Sequence, residues 1–381
     1  MTLLLADAAQ VFETIGYVLV AILTLMVMII VHEAGHYTVG KLLKFKINEF
    51  AIGMGPAIFK HKKKNGEIFS IRPIPIGGFC AFEGEDSESE VQGAFTSQKP
   101  WKRILVLLAG VTFNFVSAFL ILTIAFCSYG YTLPMVAGFN EPVDSSITHT
   151  LEEGDIIYKI NGTLVYTLND FNIASVLSKT DAETVEVVVV RGWEAVDGPK
   201  DSSILRRGEK VTIEVPVTEF YSEDAEGNVV TYRGLGIATK GCAYRLNFFA
   251  AFWRSIVFCA QIVVFLFQTI GGLFTGLVSL KGSIGGPITT IGVITNSVAN
   301  NGFKGVLMLL GMMSANIAIM NVLPLPALDG SRVIFTIIEW IRGKPINRKV
   351  EAIIHTVGII LLFAITIIFD ILNFGTIASL F

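Results

Sequence analysis

The sequence predicts a multi-pass α-helical membrane protein of about four transmembrane helices, with β-rich segments on both sides of the bilayer. Three observations point there. Of the 381 residues, 52% are hydrophobic and only 16% charged, whereas soluble domains carry about 25% charged residues. The mean hydropathy is +0.63, and the apolar residues gather in runs long enough to cross a bilayer. The stretches between them are polar, Gly-rich or β-branched, as expected of insertions outside the lipid. The formal net charge of −3 leaves no electrostatic footprint for nucleic acid, so the bilayer, not nucleic acid, is the expected partner. The four cysteines, Cys80, Cys127, Cys242 and Cys259, are scattered, which suits neither a disulfide framework nor a thiolate metal cluster.

The first apolar run, 15–31, lies in segment 1–40. Asp7 and Glu13 precede it and no small-residue cleavage site follows, so it reads as a membrane helix and not as a removable leader. Segment 41–100 is polar and rich in Gly and Pro. In it Phe69-Ser70-Ile71-Arg72 alternates like a strand, Gly77-Gly78 marks a turn, and 83–90 is an acidic loop. The second span, 104–128, falls in segment 101–129. Segment 130–240 reads as an extracytoplasmic β-rich domain, with strands expected at 184–190 and 211–217. In segment 241–302 an apolar stretch, 248–280, is broken by Gly271-Gly272 and Gly276 and followed by a Gly-rich loop ending at Pro287. A third span, 303–323, leads segment 303–330, and a last one, 353–369, lies in 331–381.

Basic residues orient these spans. Lys41, Lys44, Lys46, Lys60, Lys62, Lys63 and Lys64 follow the first span, Lys102 and Arg103 precede the second, and Arg342, Lys344, Arg348 and Lys349 separate the last two. All fall on one side, the cytoplasmic face of the cell membrane, and leave 131–240 outside.

At the inner end of the first span the chain reads His32-Glu33-Ala34-Gly35-His36. Residues four apart share a helix face, so both imidazoles can reach one ion. A catalytic zinc site keeps three protein ligands and one open position for water, and Glu33 stands where it can take that water's proton. A chance match is disfavoured because each ionisable group placed in a bilayer helix costs roughly 2.5–3.5 kcal/mol. The third ligand is expected to be Asp329, which follows an apolar span and two prolines, Pro324 and Pro326. Irregular backbone at membrane depth is tolerated only inside protein or beside a watery cavity. His61, His149 and His355 show no ligand spacing and are expected to be uninvolved. Metal bonds of about 2 Å require Asp329 and the histidines at one membrane depth. With four spans, 248–280 then cannot be one simple crossing and is expected to be interfacial or re-entrant; Arg254 and Gln261 within it agree.

These motifs resemble those of the site-2 protease family of intramembrane metalloproteases, in its bacterial branch with a single PDZ insert. The resemblance rests on His32 to His36, on Asn321 to Gly330 as the NxxPxPxLDG motif, and on Gly285-Gly286-Pro287-Ile288, and it covers nearly the whole chain. It implies Zn2+ held by His32, His36 and Asp329, with Glu33 as the base, and substrate handling by Asn316 and Asn321. Residues 151–162, with Gly154-Asp155 and Asn161-Gly162, resemble the opening of a bacterial PDZ domain, a fold that binds extended peptides. That domain is expected to touch the substrate ectodomain or to exclude bulky substrates. Residues 69–82 resemble the family's membrane-associated β-loop on the cytosolic side, whose edge a substrate strand could join. Expected substrates are single-span membrane proteins cut in regulated intramembrane proteolysis, such as anti-sigma factors, or remnant signal peptides. A transporter would show repeated halves and ionisable residues in several spans. A catalytically dead scaffold would lack Glu33 or a ligand. Neither description fits.

Overall fold

The structure is a computed structural model and describes residues 2–85, 89–165, 182–196, 204–206, 208–223, 229–244, 246–275 and 285–373. It divides into two compact units, residues 1–122 with 255–381, and residues 123–254.

The first unit is mostly helical. Helix α1 runs Thr2–Leu42 and α2 runs Pro100–Tyr129, the latter opening on a proline, whose missing N–H costs nothing in a first turn. Between them lies a four-stranded sheet of β1 (Ile47–Met54), β2 (Phe59–Lys62), β3 (Ile68–Ile71) and β4 (Ile74–Phe82), in the order β2-β3-β1-β4. β1 pairs parallel with β3 and antiparallel with β4. Phe45, Ile47, Cys80, Phe82, Phe95, Val106 and Leu107 form one buried cluster joining the sheet to α2. At the end of α1 the Tyr37 hydroxyl accepts hydrogen bonds from Lys41 and Lys63, and Lys63 also pairs with buried Glu67. The β2–β3 hairpin is thereby pinned one residue beyond His36. The turn expected at Gly77-Gly78 is absent; both glycines lie inside β4, beside an irregular register between Ile52 and Met54. The strand bends there, and glycine supports a bulge as readily as a turn.

Helix α3, Phe248–Thr275, passes unbroken through Gly271-Gly272, contrary to the interruption expected there, while Gly276 and the rest of the stretch to 280 lie outside the described residues. Glycine lowers helix propensity without ending a helix that has an apolar face to bury. Helix α4, Pro287–Val322, begins sixteen residues earlier than the expected third span at 303 and is non-helical only at Gly302, with φ 53° and ψ −140°. The Ser297 carbonyl lies against Gly305, although eight residues of straight helix would put about 12 Å between them. The chain therefore turns sharply at Gly302. Ile294 and Val298 before the break, and Val306, Leu309 and Met313 after it, all pack on the Tyr17–Leu25 part of α1. With this extra arm, Asp329 can return to the histidine end whichever way α3 runs. Among the described residues five helices are long and apolar enough to cross a membrane, α3 among them. The N-terminus of α4 is capped from a distance. Asp370 accepts hydrogen bonds from the backbone of Gly286, Ile288 and Thr289 and from the Thr289 hydroxyl, which gives the Gly-Gly-Pro segment a structural role. Asp370 belongs to helix α6, Arg348–Leu372, and between α4 and α6 lies a separate helix, α5, Asp329–Arg342. α5 ends at Gly343, in the left-handed conformation of a helix C-terminus.

The second unit is β-rich. Strands β5 (Tyr131–Phe139), β6 (Ile156–Ile160), β8 (Thr184–Arg191), β9 (Glu194–Val196), β10 (Ile204–Arg206), β11 (Glu209–Pro216) and β14 (Ile237–Tyr244) form a sheet in the order β11-β8-β6-β5-β14-β10-β9. β7 (Thr163–Leu164) adds to β6 across the Asn161-Gly162 turn, and β12 (Thr218–Glu223) pairs with β13 (Val229–Gly234). β8 and β11 fall where the β-branched runs predicted strands. Inward residues Ile157, Ile160, Val185, Val187, Val189 and Val215 share one core. Arg254 belongs here: it is buried, donates to the Val165 carbonyl and stacks on Tyr131 and Tyr158. Its charge is thus housed in protein and does not bear on whether α3 crosses.

Asp155, 1% exposed, accepts both Nε and Nη2 of Arg191 and the Glu152 amide. Replacing it with Ala leaves an arginine and an amide without that acceptor, and we expect a loss of about 2–3 kcal/mol. Hydrogen exchange of β6 and β8 amides would read this as faster local opening.

Candidate metal centre

His32 and His36 sit one turn apart near the end of α1, 8% and 7% exposed. Helix α2 crosses them closely because neither helix carries a side chain at the crossing. A Cβ on Gly35 would lie 2.5 Å from the Ala109 carbonyl oxygen, and one on Gly110 would lie 2.4 Å from His36 Nε2 and 2.7 Å from His32 Cε1. Val106, Gly110 and Asn114 follow at four-residue spacing, hence on one face of α2. That face holds the outer nitrogens of both rings. His36 Nδ1 donates to the Val106 carbonyl at 2.8 Å, and the Asn114 amide lies 3.3 Å from His32 Nδ1.

Asp329 opens α5 and turns its carboxylate onto the same pair. His32 Nε2 and His36 Nε2 lie 3.0 and 3.2 Å from Asp329 Oδ2, and 3.2 Å from each other. A carbonyl oxygen can only accept, so the proton of a neutral His36 ring is on Nδ1 and its Nε2 presents a lone pair. That lone pair faces a carboxylate oxygen and a second ring nitrogen, all largely shielded from water. A metal ion placed among them would take all three as ligands at once. Tetrahedral bonds of about 2.0–2.1 Å put ligand atoms about 3.3 Å apart, close to the spacing found. The residues therefore fit a metal ion, and they are the only such group of three among the described residues. Two imidazoles and one carboxylate suit zinc or non-haem iron. Asn114 agrees with a bound cation. Its Oδ1 is buried without a partner. With a metal on His32 Nε2 the proton resides on Nδ1, and turning the amide over supplies Oδ1 to it.

Glu33 lies beside the first ligand. Its carboxyl takes a hydrogen bond from the Cys80 backbone in β4, and Gly78 of the same strand packs near its side chain. Among the described residues β4 pairs with β1 on one side only, and its other margin runs past Glu33. Asn316 is exposed on α4, and Asn321 is half-buried in the last turn of that helix. Among the described residues neither hydrogen-bonds with the metal-centre side chains. His61 is exposed on β2. His149 stacks on Phe139 and Phe220 in the second unit. His355, set aside from the sequence, is buried and accepts the Ala327 amide at 3.1 Å. Gly110, Asn114 and His355 were not legible as parts of the site. The only available signal was a Gly and an Asn four apart in an apolar span, a pattern ordinary helix contacts also produce.

Removing the Asn114 acceptor should weaken the metal site while leaving its ligands in place. Asn114→Leu is expected to lower zinc affinity about 10- to 100-fold, and Gly110→Ala to prevent both rings from converging. Competition with a chromophoric chelator measures each, and unchanged affinity in both would remove α2 from the site.

Residues 20–365 match peptidase family M50, a span that contains all four motif residues of the centre. A protein of Fusobacterium nucleatum is 31% identical over 363 residues, covering 90% of this chain and 94% of its own length. One of Clostridium perfringens is 30% identical over 358 residues, covering 92% and 96%. One of Clostridium acetobutylicum is 29% identical over 362 residues, covering 92% and 95%. All three are provisionally named zinc metalloproteases. Matched over nearly its whole length by the family and by these relatives, this chain belongs to peptidase family M50, the site-2 protease family.

Proposed function

We propose that this chain is a zinc metalloendopeptidase that cuts membrane-spanning segments of single-span proteins in regulated intramembrane proteolysis, with anti-sigma factors or remnant signal peptides as substrates. The observation that carries the reading is the convergence of His32, His36 and Asp329 at the end of a membrane-length helix, beside Glu33. Zinc, when bound, supplies a Lewis acid and a water acidic enough to be deprotonated near neutral pH. Glu33 takes the proton of the attacking water and returns it to the departing amine. His36 is held in the tautomer that leaves Nε2 free by the Val106 carbonyl, and Asn114 would do the same for His32 once its amide turns Oδ1 toward Nδ1.

A substrate helix hides its carbonyls in its own hydrogen bonds, so it must unwind before it can be cut. The unpaired margin of β4 supports an extended binding mode, in which a freed substrate strand adds to the sheet beside Glu33. Asn316 and Asn321 then serve the substrate backbone or the developing oxyanion. Exposure of Asn316 on a helix otherwise suited to lipid supports that role. The basic residues after the first span and before the second support a metal centre on the cytoplasmic side and an extracytoplasmic 131–240 region. Gly154-Asp155 leading into β6, and Asn161-Gly162 leaving it, support a PDZ-like identity for that unit. Its task is to meet the substrate ectodomain or to exclude bulky ones.

Glu33→Gln tests the reading. The variant should keep zinc at the wild-type stoichiometry and lose cleavage by roughly 100- to 10,000-fold, so that uncut membrane substrates can be recovered with it by crosslinking. Full cleavage by this variant would sink the assigned base.

A further inference from the structure

Two of the three ligands come from the regular body of α1, where backbone hydrogen bonds hold them in register. Asp329 does not. It follows the non-helical stretch Leu323–Leu328, and within that stretch Ala327 has φ 80°. A residue with a Cβ holds such a left-handed conformation only where its surroundings enforce it. The enforcing contacts come from α6. The Ala327 amide donates to His355 Nδ1 at 3.1 Å. The imidazole is 8% exposed and meets the edge of Phe335 from α5, ring centres 5.8 Å apart. Three residues along the same face of α6, Gly358 admits Pro326: a Cβ there would lie 2.3 Å from Pro326 Cβ and 2.9 Å from its carbonyl carbon.

We propose that His355 and Gly358 form a clamp on the Pro326-Ala327 turn, and that His355 is a positioning residue for the metal ligand Asp329. One ring thus touches both the turn that precedes the ligand and the helix that follows it. The turn cannot relax toward ordinary backbone angles without carrying the Asp329 carboxylate away from His32 and His36, which lie within 3.2 Å of it. The role needs an acceptor at the Nδ1 position, not a metal-binding or proton-transferring group. The inference rests on the zinc reading of the centre.

The test is zinc affinity of the purified full-length protein in detergent, by chelator competition, with peptide cleavage followed in parallel. His355→Ala should weaken zinc binding about 10- to 100-fold, the range for lost outer contacts to a metal site. His355→Asn, whose Oδ1 can stand in for Nδ1, should restore most of that affinity, and kcat should follow zinc occupancy while KM stays unchanged. Gly358→Ala alters no polar group yet pushes on Pro326, so it should weaken zinc binding too and serves if His355→Ala does not fold. Zinc binding undiminished in folded His355→Ala, or an Asn variant no better than Ala, would overturn the clamp while leaving the centre intact. Wild-type protein that takes up no zinc would instead overturn the zinc reading, and the clamp with it.

Discussion

Everything at the catalytic end of this protein depends on three acceptor atoms being forced together out of water. Two ring nitrogens and a carboxylate oxygen approach within 3.2 Å of one another. Brought this close and this dry, all three need partners, and a shared metal ion would supply them at once. The fold accepts that requirement by drawing the atoms from two elements far apart in sequence, α1 and the start of α5. Ligand binding is therefore also a tertiary crosslink. The site resides within the helical unit alone, which places no demand on the β-rich unit for metal chemistry.

Close backbone approach makes this convergence possible. Where α1 and α2 cross, Gly35 meets Ala109 and Gly110 meets both imidazoles. In lipid there is no hydrophobic drive between helices, so small residues and interhelical polar contacts decide where they pack. Here the same face of α2 supplies the close contact and the two groups that orient the rings. The His36 tautomer is consequently set by packing. On the opposite side, β4 brings a backbone amide to Glu33. The sheet thus reaches Glu33 directly, and among the described residues its outer margin is unpaired, the kind of surface on which an extended peptide can be held straight.

The α4 region shows how a sound constraint can lead to an incorrect intermediate step. That Asp329 must share a depth with the histidines is right, and the structure brings them together. The expected break at Gly271-Gly272 is not found, because 248–275 forms one helix, and the constraint on Asp329 is met instead by the turn at Gly302. Residues 287–301 lack the unbroken apolar character that marks a span, with Thr289, Thr290, Thr295 and Asn296 among them. They are helical because Asp370 caps their start and α1 takes their apolar face. Arg254, read as unfit for a membrane helix, is instead buried in the β-rich unit. In both cases the deciding partner lies far along the chain.

Local chemistry by itself determined the class of protein, the two strands with the strongest β-branched patterns, and the four motif residues. Histidines one helical turn apart beside a glutamate, in a stretch too apolar to carry them idly, leave few other readings. Only the tertiary structure decided the α4 break, the separate α5, the place of Gly77-Gly78 within a strand, and the roles of Gly110, Asn114 and His355. Each of those depends on which surface arrives opposite. A glycine, an amide or an imidazole has no fixed meaning until the group it faces is known, because its contribution is a contact and not a propensity.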